Sequence, residues 1–235
     1  MFESIVVFFK LHGAVLLEGT GATIVMTTVS TVIAYLIGIP LAVGVKLCAE
    51  GEQGAQEDEG GSRTLRFKAA SLVLGWIIDV GRSIPFIILM VILIPFTRLL
   101  VGTSLGVAGA IVPLTIGAIP FVARLVENSL SEVPPGCIEA AQAFGANTFQ
   151  IVMKVYLKES LPSLIRGAAI TYIALVGYSA IAGAIGAGGL GDIAIRFGYY
   201  RYQDDVLLVT LVIIIVLVAL VQGIGSLIAR KIDKR

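Results

Sequence analysis

The apolar residues of this 235-residue chain are gathered into five runs, near 21–46, 69–96, 106–126, 163–185 and 206–229. About 20 apolar residues in helical form cross the ~30 Å hydrocarbon layer of a bilayer, and each run is long enough. Backbone inside lipid must satisfy its own N–H and C=O groups, so runs of this kind fold as helices. Charged residues supply only 14% of the chain, against about 25% in a soluble domain. The expected fold is therefore an all-α integral membrane protein with five transmembrane helices, forming a single domain over 1–235. The second run is interrupted by Arg82-Ser83-Ile84-Pro85, which could break it. The run 2–11 is too short to cross and is expected to lie along the interface.

Orientation follows from the positive-inside rule. With the C-terminus in the cytoplasm, the interior holds Lys46, Arg63, Arg66, Lys68, Arg124, Lys154, Lys158, Arg166, Arg230, Lys231, Lys234 and Arg235. The exterior then holds only Lys10, Arg98, Arg196 and Arg201, and Arg82 falls within a span. An odd number of spans places the N-terminus outside. No basic region precedes the first span, so that span is expected to do the targeting itself. The segment 49–62 is rich in Gly, Glu and Gln, cannot bury a core, and reads as a flexible acidic cytoplasmic loop. Cys48 and Cys137 are isolated, fall on the same side, and are expected as free thiols. A net charge of +1 offers no footprint for nucleic acid.

A short polar stretch is stranded between the third and fourth apolar runs: Glu139-Ala140-Ala141-Gln142-Ala143-Phe144-Gly145. Pro134-Pro135-Gly136 before it would end any helix arriving from the membrane, and an amphipathic run at 151–157 follows. If 139–154 is helical, Ala140, Phe144, Ile151 and Val155 share one apolar face. Ala140 and Ala141 allow close approach of another backbone. Gly145 permits a turn that a Cβ would block. Glu139, read as lying in the first turn, suits the helix dipole. A helix lying on the bilayer surface would want flanking Lys and Arg beside a larger apolar face. The stretch 139–150 contains neither, so a cytoplasmic docking element is the better reading.

The pattern Glu-Ala-Ala, three residues, Gly resembles the loop that defines permease subunits of ATP-driven (ABC) importers. In that family the loop forms a coupling helix seated in a cleft of the ATPase. The pattern continues in Val155-Tyr156-Leu157, with Lys158 in place of the family's Pro and Pro162 four residues later. Other stretches resemble the methionine branch of the family: Arg82-Ser83-Ile84-Pro85-Phe86-Ile87-Ile88-Leu89, Ile94-Pro95-Phe96-Thr97-Arg98, Ile111-Val112-Pro113-Leu114-Thr115, Gly177-Tyr178-Ser179-Ala180, and the glycine-rich run from Gly183 to Gly191. The resemblance extends over nearly the whole chain from about Gly19. It implies a multi-pass permease of the bacterial cytoplasmic (inner) membrane that moves L-methionine, with D-methionine or another small apolar amino acid as the further candidates. It further implies two ATPase subunits, which bind ATP and Mg, and an extracytoplasmic methionine-binding lipoprotein. No cofactor is expected in this chain. Five helices are few for a path with two gates; a homodimer supplies ten and puts the path on its two-fold axis.

Possible pathway or gate residues are Arg82, Ser83, Tyr178, Ser179, Gly188 and Gly189. An ion inside a span is costly and is usually paired or functional; for Arg82 a pair with Asp79 is the simpler reading. Gly186-Ala187-Gly188-Gly189-Leu190-Gly191 matches the Gly-x-Gly-x-x-Gly dinucleotide fingerprint by letter. That fingerprint needs a strand before it and a βαβ unit around it, so a packed turn at the outer mouth is the better reading. His12 is the single histidine, which leaves no histidine-based metal site. No P-loop is present, so ATP hydrolysis is expected in a partner and not here. An intramembrane hydrolase would need a nucleophile with a base, or paired carboxylates, and Asp79 is the one clear carboxylate within the runs. A passive channel would give no reason for a docking element.

Overall fold

The structure, a computed structural model, describes residues 2–57 and 61–233, and these are helices and their connections with no strand among them. In chain order the elements are α1 (Phe2–Glu57), α2 (Gly61–Ser83), α3 (Phe86–Ile92), α4 (Ile94–Val101), α5 (Gly106–Ser131), α6 (Pro135–Ala143) and α7 (Thr148–Ile151). A π-helical stretch Val152–Tyr156 joins α7 to α8 (Leu157–Glu159), and α9 (Leu161–Gly183) follows. After α10 (Gly189–Ile193) a second π-helical stretch, Ala194–Tyr199, precedes α11 (Asp204–Ile232).

Among the described residues, four helices are long and apolar enough to cross a membrane: residues 10–49 of α1, and α5, α9 and α11. A fifth span results if α2 and α3 count as one. The interruption in the second apolar run is a real break, because the axes of α2 and α3 differ by 99°. Pro85 caps α3 with φ −59° and ψ 130°, the extended conformation that keeps proline out of a continuing helix. α11 is apolar on all sides, with Leu208, Ile215, Leu220 and Leu227 exposed, the pattern of a helix that faces lipid.

Two expectations fail at the ends of the first span. Residues 2–11 are not a separate interfacial segment; they are the first turns of α1, a single helix of 56 residues. At 1.5 Å per residue it runs roughly 84 Å, far beyond the hydrocarbon layer. The segment expected as a loop at 49–62 is helical up to Glu57 and again from Gly61, while 58–60 lie outside the described residues. Ala, Glu and Gln are strong helix formers even where they bury nothing, so low hydrophobicity did not preclude a helix.

The chain divides into two compact units. One comprises Met1–Ile33, Pro85–Ala118 and Ile170–Gly223, the other Ala34–Ile84, Ile119–Ala169 and Ile224–Arg235. In the first, Leu16, Ile193 and Val206 form a buried cluster against which Val15, Phe197, Val209 and Ile213 pack. Three of its α1 hydroxyls are satisfied within the helix: Thr20, Thr27 and Thr31 each donate to the carbonyl four residues back at 2.7 Å, which lets them sit within an apolar helix. In the second, Val45, Ile78 and Ala123 tie α1, α2 and α5 together, with Leu41 and Leu74 packed alongside.

Candidate functional site

The polar stretch between α5 and α9 is a corner of two short helices, and the sequence builds it from two opposed caps. Pro134 stands at the N-cap and Pro135 at the first helical position of α6, where a missing N–H costs nothing. The proline pair therefore starts a helix as well as ending one. Glu139 is consequently in the second turn, and the first turn of α6 holds no acid, so the dipole contact expected for Glu139 is not made. At the other end Gly145 takes φ +75°. Its N–H donates to Gln142 O at 2.8 Å and that of Ala146 to Ala141 O at 3.0 Å, the paired bonds of a Schellman stop. Two residues later Asn147 Oδ1 accepts from Gln150 N at 2.9 Å, and Gln150 Oε1 accepts from Asn147 N at 3.0 Å. This capping box starts α7.

The single helix expected over 139–154 is thus two helices, and the expected common face of Ala140, Phe144, Ile151 and Val155 is split. Ala140 is exposed and Phe144 is 93% exposed, whereas Ile151 is buried and Val155 half-buried. Ala141 is half-buried and Gly145 exposed. What attaches the corner is the stretch after it: Ile151, Val152 and Tyr156 are buried, and Lys46 Nζ of α1 lies 5.9 Å from the centre of the Tyr156 ring. The Ser160 hydroxyl donates to Tyr156 O at 2.6 Å. Ser129 Oγ near the end of α5 donates to Ser163 Oγ near the start of α9 at 3.0 Å, so the two stems of the excursion are tied at their base. Phe149 and Met153, 73% and 50% exposed, join Phe144 in presenting large apolar side chains. Sequence reasoning missed both. The Asn147-x-x-Gln150 box was the readable signal, because it fixes where the second helix begins and hence which residues face outward.

The six residues considered for a pathway or gate do not form one constellation. Arg82 and Ser83 belong to the second unit; Tyr178, Ser179, Gly188 and Gly189 belong to the first. Arg82 does approach Asp79, at 3.8 Å, but the closer partner of that carboxylate is Arg124 of α5, at 2.6 Å. Arg124 also holds Glu127 at 2.8 Å, so one guanidinium bridges two carboxylates on α2 and α5. The Ser83 hydroxyl donates to Asp79 O at 2.8 Å. In the first unit the Tyr178 ring stacks on Phe86, with centroids 4.9 Å apart and planes 12° from parallel. Ser179 is buried and its hydroxyl donates to Val176 O at 2.7 Å.

The glycine-rich run follows α9, not a strand, which removes the nucleotide-binding reading of its letters. Gly188 has φ +75° and open space where a Cβ would stand. Gly189 has φ +80°, and a Cβ there would lie 2.7 Å from Thr23 Oγ1 and 3.0 Å from Met26 Cε. The Leu190 N–H donates to Thr23 Oγ1 at 2.9 Å in a buried setting, pinning the turn to the middle of α1. Beside it opens a cavity of about 320 Å3 lined in part by Glu18, Gly188, Asp192 and Arg196, with Arg196 and Asp192 paired at 3.0 Å.

Comparison with known proteins gives a consistent set of relatives. Residues 61–234 match the family described as binding-protein-dependent transport system inner membrane component. The chain is 46% identical over 234 residues, covering 100% of itself and 99% of the other protein, to a Vibrio cholerae protein named "Probable D-methionine transport system permease protein MetI". It is 50% identical over 168 residues to the Bacillus subtilis methionine import system permease protein MetP, covering 72% of this chain and 76% of that one. Among solved structures, an inward-facing MetNI methionine ABC transporter matches with a TM-score of 0.82 and 45% identity, covering 94% of this chain and 97% of its counterpart. An amino acid ABC transporter at 20% identity and a TM-score of 0.73 shares the fold.

Proposed function

The chain belongs to the binding-protein-dependent transport system inner membrane component family, and we propose that within it this protein is the membrane permease of an ABC importer for methionine. The observation that carries the importer reading is the corner between α5 and α9, with buried roots at Ile151 and Tyr156 and apolar tips at Phe144 and Phe149. Such a corner moves as a block: force applied at the tips reaches α1 and α9 through the packed base, because close-packed elements shift between discrete arrangements and do not deform smoothly. The methionine reading rests on the named relatives and on an apolar bundle suited to a small apolar side chain.

In this account the C-terminus and the corner lie in the cytoplasm, where the Lys and Arg excess sits, and the N-terminus lies outside. Two copies of the chain enclose the path. Two ATPase subunits dock against Glu139, Ala140, Ala141, Phe144 and Gly145, and an extracytoplasmic binding lipoprotein delivers substrate. ATP and Mg are held by the ATPase subunits. Their closure on ATP draws the corners together and biases the bundle toward its outward-open packing; release restores the inward-open one. Arg82, Ser83, Tyr178, Ser179, Gly188 and Gly189 are assigned to the path and its gates. Of these, Tyr178 carries the clearest support, since its ring is 38% exposed and stacked on the residue that follows the Pro85 break.

The test is uptake of labelled methionine into proteoliposomes holding this chain, its ATPase and its binding protein. ATP-dependent uptake abolished by excess unlabelled methionine, and not by glutamine, supports the proposal. Uptake without ATP makes the chain a channel. ATPase stimulation by a different amino acid keeps the permease and replaces the substrate.

A further inference from the structure

A second site lies in the first unit, where α4 turns into α5. There a cavity of about 130 Å3 is bounded by Met90, Ile94, Pro113 and Ile185 on its apolar sides and by Arg98 and Ser104 at its rim. Arg98 Nε donates to Ser104 Oγ at 3.1 Å, which holds the guanidinium over the opening. No described carboxylate pairs with it, and no Asp or Glu occurs anywhere between Asp79 and Glu127. α4 ends one turn later at Gly102, which adopts φ +78°, and residues 102–105 are irregular. Irregular backbone is not tolerated against hydrocarbon, so this connection stands at a membrane face and Arg98 at headgroup depth. Leu99 beside it is 85% exposed and Leu100 61%.

We propose that this cleft binds an anionic phospholipid, with its phosphate on the Arg98 guanidinium and an acyl chain along the Met90, Ile94 and Ile185 wall. A cation without a carboxylate, set above an apolar groove between helices, matches a ligand that is anionic at one end and hydrocarbon beyond it. A zwitterionic amino acid fits less well, because its ammonium would face no carboxylate in the cleft. None of the residues lining the cleft belongs to the corner between α5 and α9 or to the residues assigned to the pathway.

Native mass spectrometry of the full chain purified with its ATPase partner, from equal phosphatidylglycerol and phosphatidylethanolamine, provides the test. The wild-type chain retains phosphatidylglycerol in preference to phosphatidylethanolamine. Arg98→Gln lowers that retention about five-fold, the upper end of the effect of one exposed ion pair. Arg98→Lys keeps most of it. Arg201→Gln, which removes an arginine stacked on Phe197, leaves it unchanged. If Arg98→Gln does not yield folded protein, Ser104→Ala, which frees the guanidinium to wander, serves instead and is expected to lower retention by a smaller factor. Equal retention of the two lipids by the wild-type chain, or wild-type retention by Arg98→Gln and Ser104→Ala, overturns the proposal. Displacement of the bound phosphatidylglycerol by methionine likewise overturns it and makes the cleft a substrate site.

Discussion

Arg124 on α5 holds Asp79 on α2 at 2.6 Å, and in doing so leaves Arg82, one turn along from Asp79, at 3.8 Å. The pair joins two helices through residues 45 positions apart in sequence. A second carboxylate, Glu127, steadies the same guanidinium. Ionisable groups in membrane helices are rare and costly, so a bridge of this kind fixes how α2 and α5 register against each other.

A double-mutant cycle separates the two pairs. Asp79→Asn with Arg124→Gln is expected to show a coupling of about 1 kcal/mol, and Asp79→Asn with Arg82→Gln close to zero. The groups are partly exposed, which keeps the first figure small. Thermal unfolding of the purified chain in detergent gives both numbers. Equal coupling in the two cycles would mean that Arg82 is the working partner.

Gly145→Ala tests the Schellman stop. No atom lies within 4 Å of the added methyl, but φ is +75°, so the expected cost is about 1–2 kcal/mol of backbone strain alone. It falls on the corner, not the bundle. ATPase association and uptake are expected to drop while the melting of the bundle is preserved. Gly136→Ala, also in open space but without positive φ, is expected to be near neutral. Co-purification with the ATPase subunit and circular dichroism distinguish the cases.

Much of this architecture is legible in the residues. The five apolar runs became α1, α2 with α3, α5, α9 and α11, and Pro85 marked the break in the second. Pro134 and Gly145 bracketed α6. What was not legible depended on contacts or on competing propensities. The acidic stretch to Glu57 looked too polar to be ordered, yet its composition favours helix. The apolar spacing across 139–154 counted through Gly145 as though the helix continued, and so placed Phe144 and Ile151 on one face. Arg124 stands out in the sequence only as one of the interior basic residues, because its partner Asp79 is contributed by another helix. The split of the pathway candidates between two units likewise follows from tertiary packing, which no local pattern encodes.

Thr23→Val tests the pin between α1 and the glycine turn. It is nearly isosteric but leaves the buried Leu190 N–H without its acceptor at 2.9 Å. The expected loss is about 1–3 kcal/mol. Gly189→Ala should be at least as damaging, since it combines φ +80° with contacts at 2.7 and 3.0 Å. Gly188→Ala meets no neighbour and carries the strain of its φ alone. Gly189→Ala is expected to melt lowest, Thr23→Val at the same temperature or above it, and Gly188→Ala highest of the three.

The measurement closest to the central claim records ATP hydrolysis and methionine uptake in the same proteoliposomes, for wild-type chain and for Phe144→Asp. Phe144 is 93% exposed, so the substitution should leave the fold intact and remove only the docking contact. The account predicts ATP-dependent uptake by the wild-type protein, and loss of uptake in the variant with its helices and melting unchanged. Uptake that needs no ATP, or a Phe144→Asp variant that transports like the wild type, would contradict it.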